Sequence, residues 1–172
     1  MILGLDISTS RIGISILNKE EELLFCDAIK LNNKTSLSSR CIELEEYIKK
    51  INYNYEHVFI EEPFMMFAGG KTTANTMAKL QRFNGMCSYM IRKAFDIEPV
   101  LIPANKARKL AGITVKRGTC TKTRVIQYIQ AKYSKFTVYY TRHGNPKPGT
   151  DDKADSVVVA LAGMRLLATD SK

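Results

Sequence analysis

No apolar run in this chain approaches the ~20 residues that a membrane-spanning helix needs, and no charged stretch leads into an apolar core as in a signal peptide. A cytoplasmic protein is therefore expected. Cysteine is sparse: Cys26, Cys41, Cys87 and Cys120 lie far apart, with no C-x-x-C pair and no histidine at zinc-finger spacing. That argues against a disulfide framework or a zinc site and reads as reduced, buried thiols. Internal repeats and low-complexity segments are also missing. The most informative absence is of acid. Residues 65–149 carry 16 Lys and Arg against only Asp96 and Glu98, a balance of +14, whereas the remainder carries 10 basic and 15 acidic residues within a net charge of +9. A long basic tract beside a small acidic cluster suits a polyanion held by its phosphates while metal ions sit on the acids. A generally basic surface is the blander alternative.

With 172 residues, 45% of them hydrophobic, the chain fits one domain spanning 1–172 with a single well-buried core. Its opening, MILGLDISTSRIGISIL, reads as a hairpin: an apolar strand carrying only Asp6, a turn at Ser8-Thr9-Ser10, and an alternating strand through Ile12, Ile14 and Ile16. An isolated carboxylate in such surroundings is costly unless something pairs with it. Residues 21–31 read as a third strand, 36–50 as an amphipathic helix with Leu37, Cys41, Leu44 and Ile48 inward, and 57–62 as a short buried strand ending in Glu61 and Glu62. PFMMFAGG is a loop. Residues 71–94 read as one long helix with Met77, Leu80, Met86 or Cys87, Met90 and Ile91 inward and Lys79, Arg82, Arg92 and Lys93 outward; Gly85 within it suggests a close helix contact. A strand at 98–102, a short basic helix closed by Gly112, a helix over 119–133, an edge strand at 136–140, a Pro- and Gly-rich basic loop and a final helix over 150–168 complete the reading. The order implies an α/β fold with a mixed sheet covered by helices on both faces.

Asp152 and Asp155, spaced i and i+3, share a face of the last helix that continues through Val159 and Ala162. Beside Asp6 and Glu61 they would bring four carboxylates together, and each like-charged pair at about 4 Å costs on the order of 4 kcal/mol at an effective dielectric near 20. Hard divalent cations remedy that, and two of them roughly 4 Å apart can activate water and stabilise the leaving oxygen of a phosphodiester. Separately, Asp152 and Asp155 would serve as acids favoured at a helix N-terminus, and Glu61 and Glu62 as a solvated strand end. Asp6 is the hardest to account for in that way.

The D-x-S-T-S-x-x-G-x-x-I hairpin at Asp6, the I-E-E-P-F strand end at Glu61 and the D-K-A-D-S-x-x-x-A helix at Asp152 resemble, in the same order and at similar separations, the three acidic motifs of RuvC-type Holliday junction resolvases. The resemblance implies an RNase H-like mixed five-stranded sheet, a homodimer, and Mg²⁺- or Mn²⁺-dependent hydrolysis, with two ions per site, that nicks two opposed strands of a four-way DNA junction. It places Asp6, Glu61, Asp152 and Asp155 as catalytic and metal-holding acids. Asp6 would bridge both ions, Glu61 and Asp152 would complete separate ion sites, and Asp155 would ligate or orient water. Lys122 matches a basic position used on the scissile phosphate, Arg108 more loosely another, and Phe64 falls where bacterial members carry an aromatic near the junction centre. Lys71, Lys79, Arg82, Lys116, Arg117 and Arg124 join these as candidate DNA contacts. His57 and His143 read as structural or phosphate-facing. The chain departs from the pattern in Glu62-Pro63 after the second motif and in a longer segment over 133–149. Its compact length and Lys, Asn, Ile and Tyr bias suit a phage-encoded member acting in a bacterial host cytoplasm. Whether a helicase partner is needed is not readable from sequence.

Two other classes compete. A junction-holding architectural module without chemistry would not need four acids, which repel phosphates unless cations intervene. Actin-like and sugar-kinase folds open on a similar phosphate hairpin but need two such domains around ATP. AGGKTT follows a strand, yet a Walker pattern needs glycine where this chain has Met65.

Overall fold

Alternation along the strands decides which helices each face of the sheet receives. In the computed structural model, which describes residues 1–63, 73–115 and 118–170, β1 (Ile2–Ile7), β2 (Arg11–Leu17) and β3 (Leu23–Lys30) form an antiparallel meander. The strands β4 (His57–Glu62) and β5 (Val100–Pro103) are added in parallel, giving one sheet of order β3-β2-β1-β4-β5. Leu3, Leu5, Ile7, Ile12, Ile14, Ile16, Val58 and Ile60 point to one face. There they pack against α1 (Leu37–Ile51) and α2 (Ala74–Phe95) through Leu44, Ile48, Phe83, Cys87 and Ile91. The intervening residues Gly4, Asp6, Gly13, Phe59 and Glu61 face the other side, covered by α3 (Ala104–Leu110), α4 (Thr121–Lys132) and α5 (Thr150–Asp170). The fold is the mixed five-stranded α/β sheet expected, with helices on both faces.

Local chemistry sets the helix limits. Ser36 Oγ accepts from the Ser39 amide at 3.1 Å and Thr73 Oγ1 from the Thr76 amide at 3.2 Å, so each caps its helix. Asn52 and Asp96 close α1 and α2 in the left-handed region, at φ 56° each. α5 is buried on nearly every side from Ala154 to Ala162, because the sheet lies beneath it and α3 and α4 flank it. Its approach to the sheet is unusually close. A Cβ on Gly13 would overlap the Asp152 carbonyl, and one on Gly4 the Ser156 carbonyl. Only glycine at these positions lets the first turns of α5 settle on β1 and β2.

Three expectations are corrected. The FTVYY segment forms no strand: Phe136 and Val138 are buried in alternation, but its sole ladder contact among the described residues is an isolated Tyr140–Pro146 bridge. Period-2 burial requires only that alternate side chains reach the core, not that a neighbouring strand be available. Gly85 makes no close helix contact; it is exposed, with open space where a Cβ would stand. Cys120 is exposed, whereas Cys41 and Cys87 are buried and Cys26 is half-buried.

Candidate active site

Parallel pairing places the two strand acids side by side. Leu5 and Ile60 are register partners on β1 and β4, so Asp6 and Glu61, each one residue further on, end adjacent strands on the α5 face. Asp6 is paired across β2 with Gly13, the residue over which the first turn of α5 sits. Asp152 and Asp155 thereby reach the same place. The fold has brought three distant motifs into one acidic cluster.

The electrostatics record that convergence. Burial, followed by the charges of Glu61, Asp155, Asp152 and Asp151, holds the Asp6 carboxyl well above the usual carboxylate range. Burial and then Asp155 push Glu61 up to about 7, against the pull of Arg108. Burial likewise pushes Asp155 up to about 6, with Arg108 opposing. Asp152 is raised by burial and by Asp151, and Arg11 offsets part of this with its Nε 3.6 Å from the Asp152 carboxylate. Asp151 is the exception. Burial pushes it upward, but the Lys122 ammonium, donating to Asp151 Oδ2 at 2.5 Å, outweighs this and leaves it below the ordinary value. The same bond raises Lys122.

Supporting contacts fix the strand ends. Asn84, buried on α2, donates to the Glu61 carbonyl at 3.4 Å. The Ser8 hydroxyl donates to the Arg11 carbonyl at 2.8 Å and accepts from the Arg11 amide at 3.1 Å, setting the hairpin turn. Arg40, only 3% exposed, spans this turn and the next loop: its Nη1 donates to the Thr9 carbonyl at 2.5 Å, and its Nη2 to the Asn33 and Thr35 carbonyls at 2.8 and 2.9 Å.

No protein-family model matches the sequence, and no curated protein matches it. Solved structures do. RuvC of Thermus thermophilus, in complex with Holliday junction substrate, aligns at a TM-score of 0.70 and 12% identity over 98% of this chain and 94% of that one. The yeast mitochondrial Holliday junction resolvase Ydc2 aligns at 0.65 and 13% identity, over 97% of this chain and 78% of that one. Fowlpox virus resolvase, in complex with substrate Holliday junction DNA, aligns at 0.50 and 17% identity, over 96% of this chain and 97% of that one. The chain has the RuvC fold.

On this RuvC fold the candidate residues divide clearly. Asp6, Glu61, Asp152 and Asp155 interact with one another, Lys122 joins them through Asp151, and Arg108 acts on both Glu61 and Asp155. Lys79 and Arg82 are exposed on α2, which packs on the opposite sheet face, and Arg124 lines an open cleft with Thr114, Thr119, Cys120, Thr123 and Gln127 at the start of α4. Phe64, Lys71, Lys116 and Arg117 lie outside the described residues. His57 is exposed on β4, and His143 is exposed and accepts from Arg142 Nε at 2.9 Å. Arg11, Asn84 and Arg40 were not singled out from the sequence, and of the Asp151–Lys122 pair only Lys122 was. Arg11 and Asp151 are adjacent to motif residues, which is the only signal that marks them.

The carboxylate set fits a hard divalent cation by chemistry: oxygen donors, partly buried, whose mutual repulsion only protons or cations relieve. Among the described residues, no three acidic, histidine or cysteine side chains close around a common point.

Proposed function

We propose that this chain is a structure-selective endodeoxyribonuclease that resolves four-way and related branched DNA junctions by phosphodiester hydrolysis, making paired nicks as a homodimer. The observation that carries the reading is the half-buried Asp6 carboxyl at the end of β1, set beside acids of β4 and α5 on a RuvC fold and pushed well above the usual carboxylate range by desolvation first and by those acids second. A structural role does not explain four carboxylates gathered at such cost, and a cation-dependent reaction on a polyanion does. The solved neighbours described with Holliday junction DNA, from Thermus and fowlpox virus, supply the substrate class.

Asp6, Glu61, Asp152 and Asp155 would hold Mg²⁺ or Mn²⁺, two ions per site, which supply a nucleophilic water at neutral pH and neutralise the leaving oxygen. The remaining steps belong to the chain. Lys122, kept charged and aimed by Asp151, offsets negative charge developing on the scissile phosphate. Asp155 orients the attacking water, Arg11 fixes the Asp152 carboxylate, and Arg108 tempers the charge on Glu61 and Asp155. No serine, cysteine or histidine nucleophile is required. Lys79, Arg82, Arg124, Lys71, Lys116 and Arg117 contribute phosphate contacts, and Phe64 stacks on an unpaired base at the junction centre. The dimer forms through α2, whose outer side exposes Tyr89 beside the exposed Ile42 of α1; two-fold symmetry sets two sites on opposed strands.

The test is incubation of the purified protein with a labelled four-way junction and its linear duplex, in EDTA or in Mg²⁺, beside Asp6→Asn. Metal-dependent paired nicks confined to the junction and lost in the variant are expected. Junction binding without nicks in either Mg²⁺ or Mn²⁺ would leave an architectural module as the better description.

A further inference from the structure

Residues 133–149, the segment longer than the acidic-motif resemblance leads one to expect, build a hydrogen-bonded basic hairpin whose cations lack acid partners. The Lys147 amide donates to the Tyr139 carbonyl at 2.8 Å and the Thr141 amide to the Asn145 carbonyl at 2.8 Å. The Gly144 amide closes the tip onto the Thr141 carbonyl at 3.0 Å, and Tyr140 bridges Pro146. Phe136 and Val138 root the segment in the core, and Lys153 of α5 donates to the Thr137 carbonyl at 3.3 Å. The returning arm runs directly into the catalytic helix: the Lys147 carbonyl accepts from both the amide and the hydroxyl of Thr150, at 3.2 and 2.7 Å. Gly149, at φ +97°, packs against the same Arg11 that faces Asp152. The base of the hairpin is thus tied to the acidic cluster, with Gly149 beside Arg11 of β2 and Ala28 of β3.

What it presents is uniform in sign. Between Tyr133 and Thr150 the chain carries Lys135, Arg142, His143 and Lys147 and no acid. Elsewhere Lys19, Lys49, Arg92, Lys122, Lys132 and Arg165 are each neutralised by a carboxylate, while Lys30, Lys79, Lys106 and others among the described residues are in no ion pair; what sets this segment apart is its lack of any acid beside exposed aromatic rings. Among the described residues, Lys135, Arg142 and Lys147 pair with none. Tyr139 and Tyr140 stand beside them 61% and 52% exposed, with Lys147 Nζ 5.9 Å from the Tyr139 ring centre. Unpaired cations interleaved with exposed aromatic rings on a preorganised hairpin complement a nucleic-acid strand, whose phosphates take the cations and whose sugars and bases take the rings.

We propose that the 139–147 hairpin is a second DNA-binding element, gripping the backbone of a junction arm beside the acidic cluster. The proposal rests on the junction-nuclease reading above. Arg142 and Lys147 contact phosphates, and Tyr139 and Tyr140 pack on the same strand. Gripping DNA next to the N-terminus of α5 holds the scissile phosphate over the acids.

The experiment measures binding of an immobile four-way junction in EDTA, by fluorescence anisotropy across a salt series, for the wild type, Arg142→Gln/Lys147→Gln and Tyr139→Ser/Tyr140→Ser, with nicking in Mg²⁺ run alongside. All four side chains are exposed, so thermal melts should overlay. Losing two phosphate contacts lowers the slope of log affinity against log salt by about 2, so that between 50 and 200 mM salt the wild type loses roughly tenfold more affinity than the charge variant. The tyrosine variant should bind several-fold more weakly with the wild-type slope. Wild-type affinity and slope in a charge variant that melts normally would overturn the hairpin role while wild-type nicking keeps the nuclease reading intact. A wild type that neither binds nor nicks the junction would remove both.

Discussion

At the scale of single residues, the site is an arrangement of charges that oppose folding until something neutralises them. Asp6 is the clearest case, because its carboxyl is pushed upward by burial and by four neighbouring acids at once. Asp6→Asn should therefore abolish nicking yet raise the melting temperature in EDTA at pH 8. Removing a charge held at such cost is worth about 1–3 kcal/mol, or roughly 2–10 °C for a chain of this size. Calorimetry decides it: an unchanged or lower melting temperature would mean that the acids are not in conflict. Arg40 is the opposite case. Its guanidinium is buried, with Nη1 and Nη2 donating to the Thr9, Asn33 and Thr35 carbonyls while Nε has no partner among the described residues, so Arg40→Met strands three acceptors. A loss of about 2–4 kcal/mol in urea unfolding is expected, and a loss below 1 kcal/mol would show that those carbonyls find other donors. Neither Arg40 nor Arg11 was legible in the sequence. Their roles come from loops and helices meeting across the sheet, which no local pattern encodes, whereas Asp6 announced itself as a lone acid in an apolar strand.

At the scale of elements, placement of the acids depends on how closely α5 rides on the sheet. Gly13 is the contact point. A Cβ there would meet the Asp152 backbone, which has no flexible end to swing aside. Gly13→Ala should shift the first turn of α5, cost about 2–3 kcal/mol, and reduce nicking far more than junction binding, since the basic contacts lie elsewhere. Comparing single-turnover nicking with binding in EDTA checks this; equal losses in both would point to general misfolding instead. The elements themselves were largely readable. The hairpin of β1 and β2, the strand bearing Glu61, and α1, α2 and α5 follow from period 2, period 3.6 and capping residues such as Ser36. The strand expected at 136–140 did not form because Tyr133, Phe136 and Val138 take their alternate burial from the helix-covered core and not from pairing with the sheet. Gly85 misled because a glycine in a helix marks close packing only when another element is there, and its surroundings are open.

At the scale of the whole molecule, the acidic cluster links folding to protons and, under the proposed function, to cations as well. Glu61 and Asp155, pushed up to about 7 and about 6, and Asp6, also raised, bind protons in the folded chain at pH values where an unfolded chain has released them. Their contribution to stability is therefore complete below about pH 4 and is lost as pH rises through 6 and 7. In EDTA the melting temperature should fall between pH 5 and pH 8, by roughly 5–10 °C if the combined penalty is on the order of 3 kcal/mol. A divalent cation bound by the same carboxylates competes with those protons, so millimolar Mg²⁺ or Mn²⁺ should restore much of the loss at pH 8 and do little at pH 5. In Asp6→Asn both the pH slope and the metal effect should shrink together, because one set of groups produces both. A melting temperature that rises with pH in EDTA, or a cation effect as large at pH 5 as at pH 8, would separate cation binding from these acids and require another site for it.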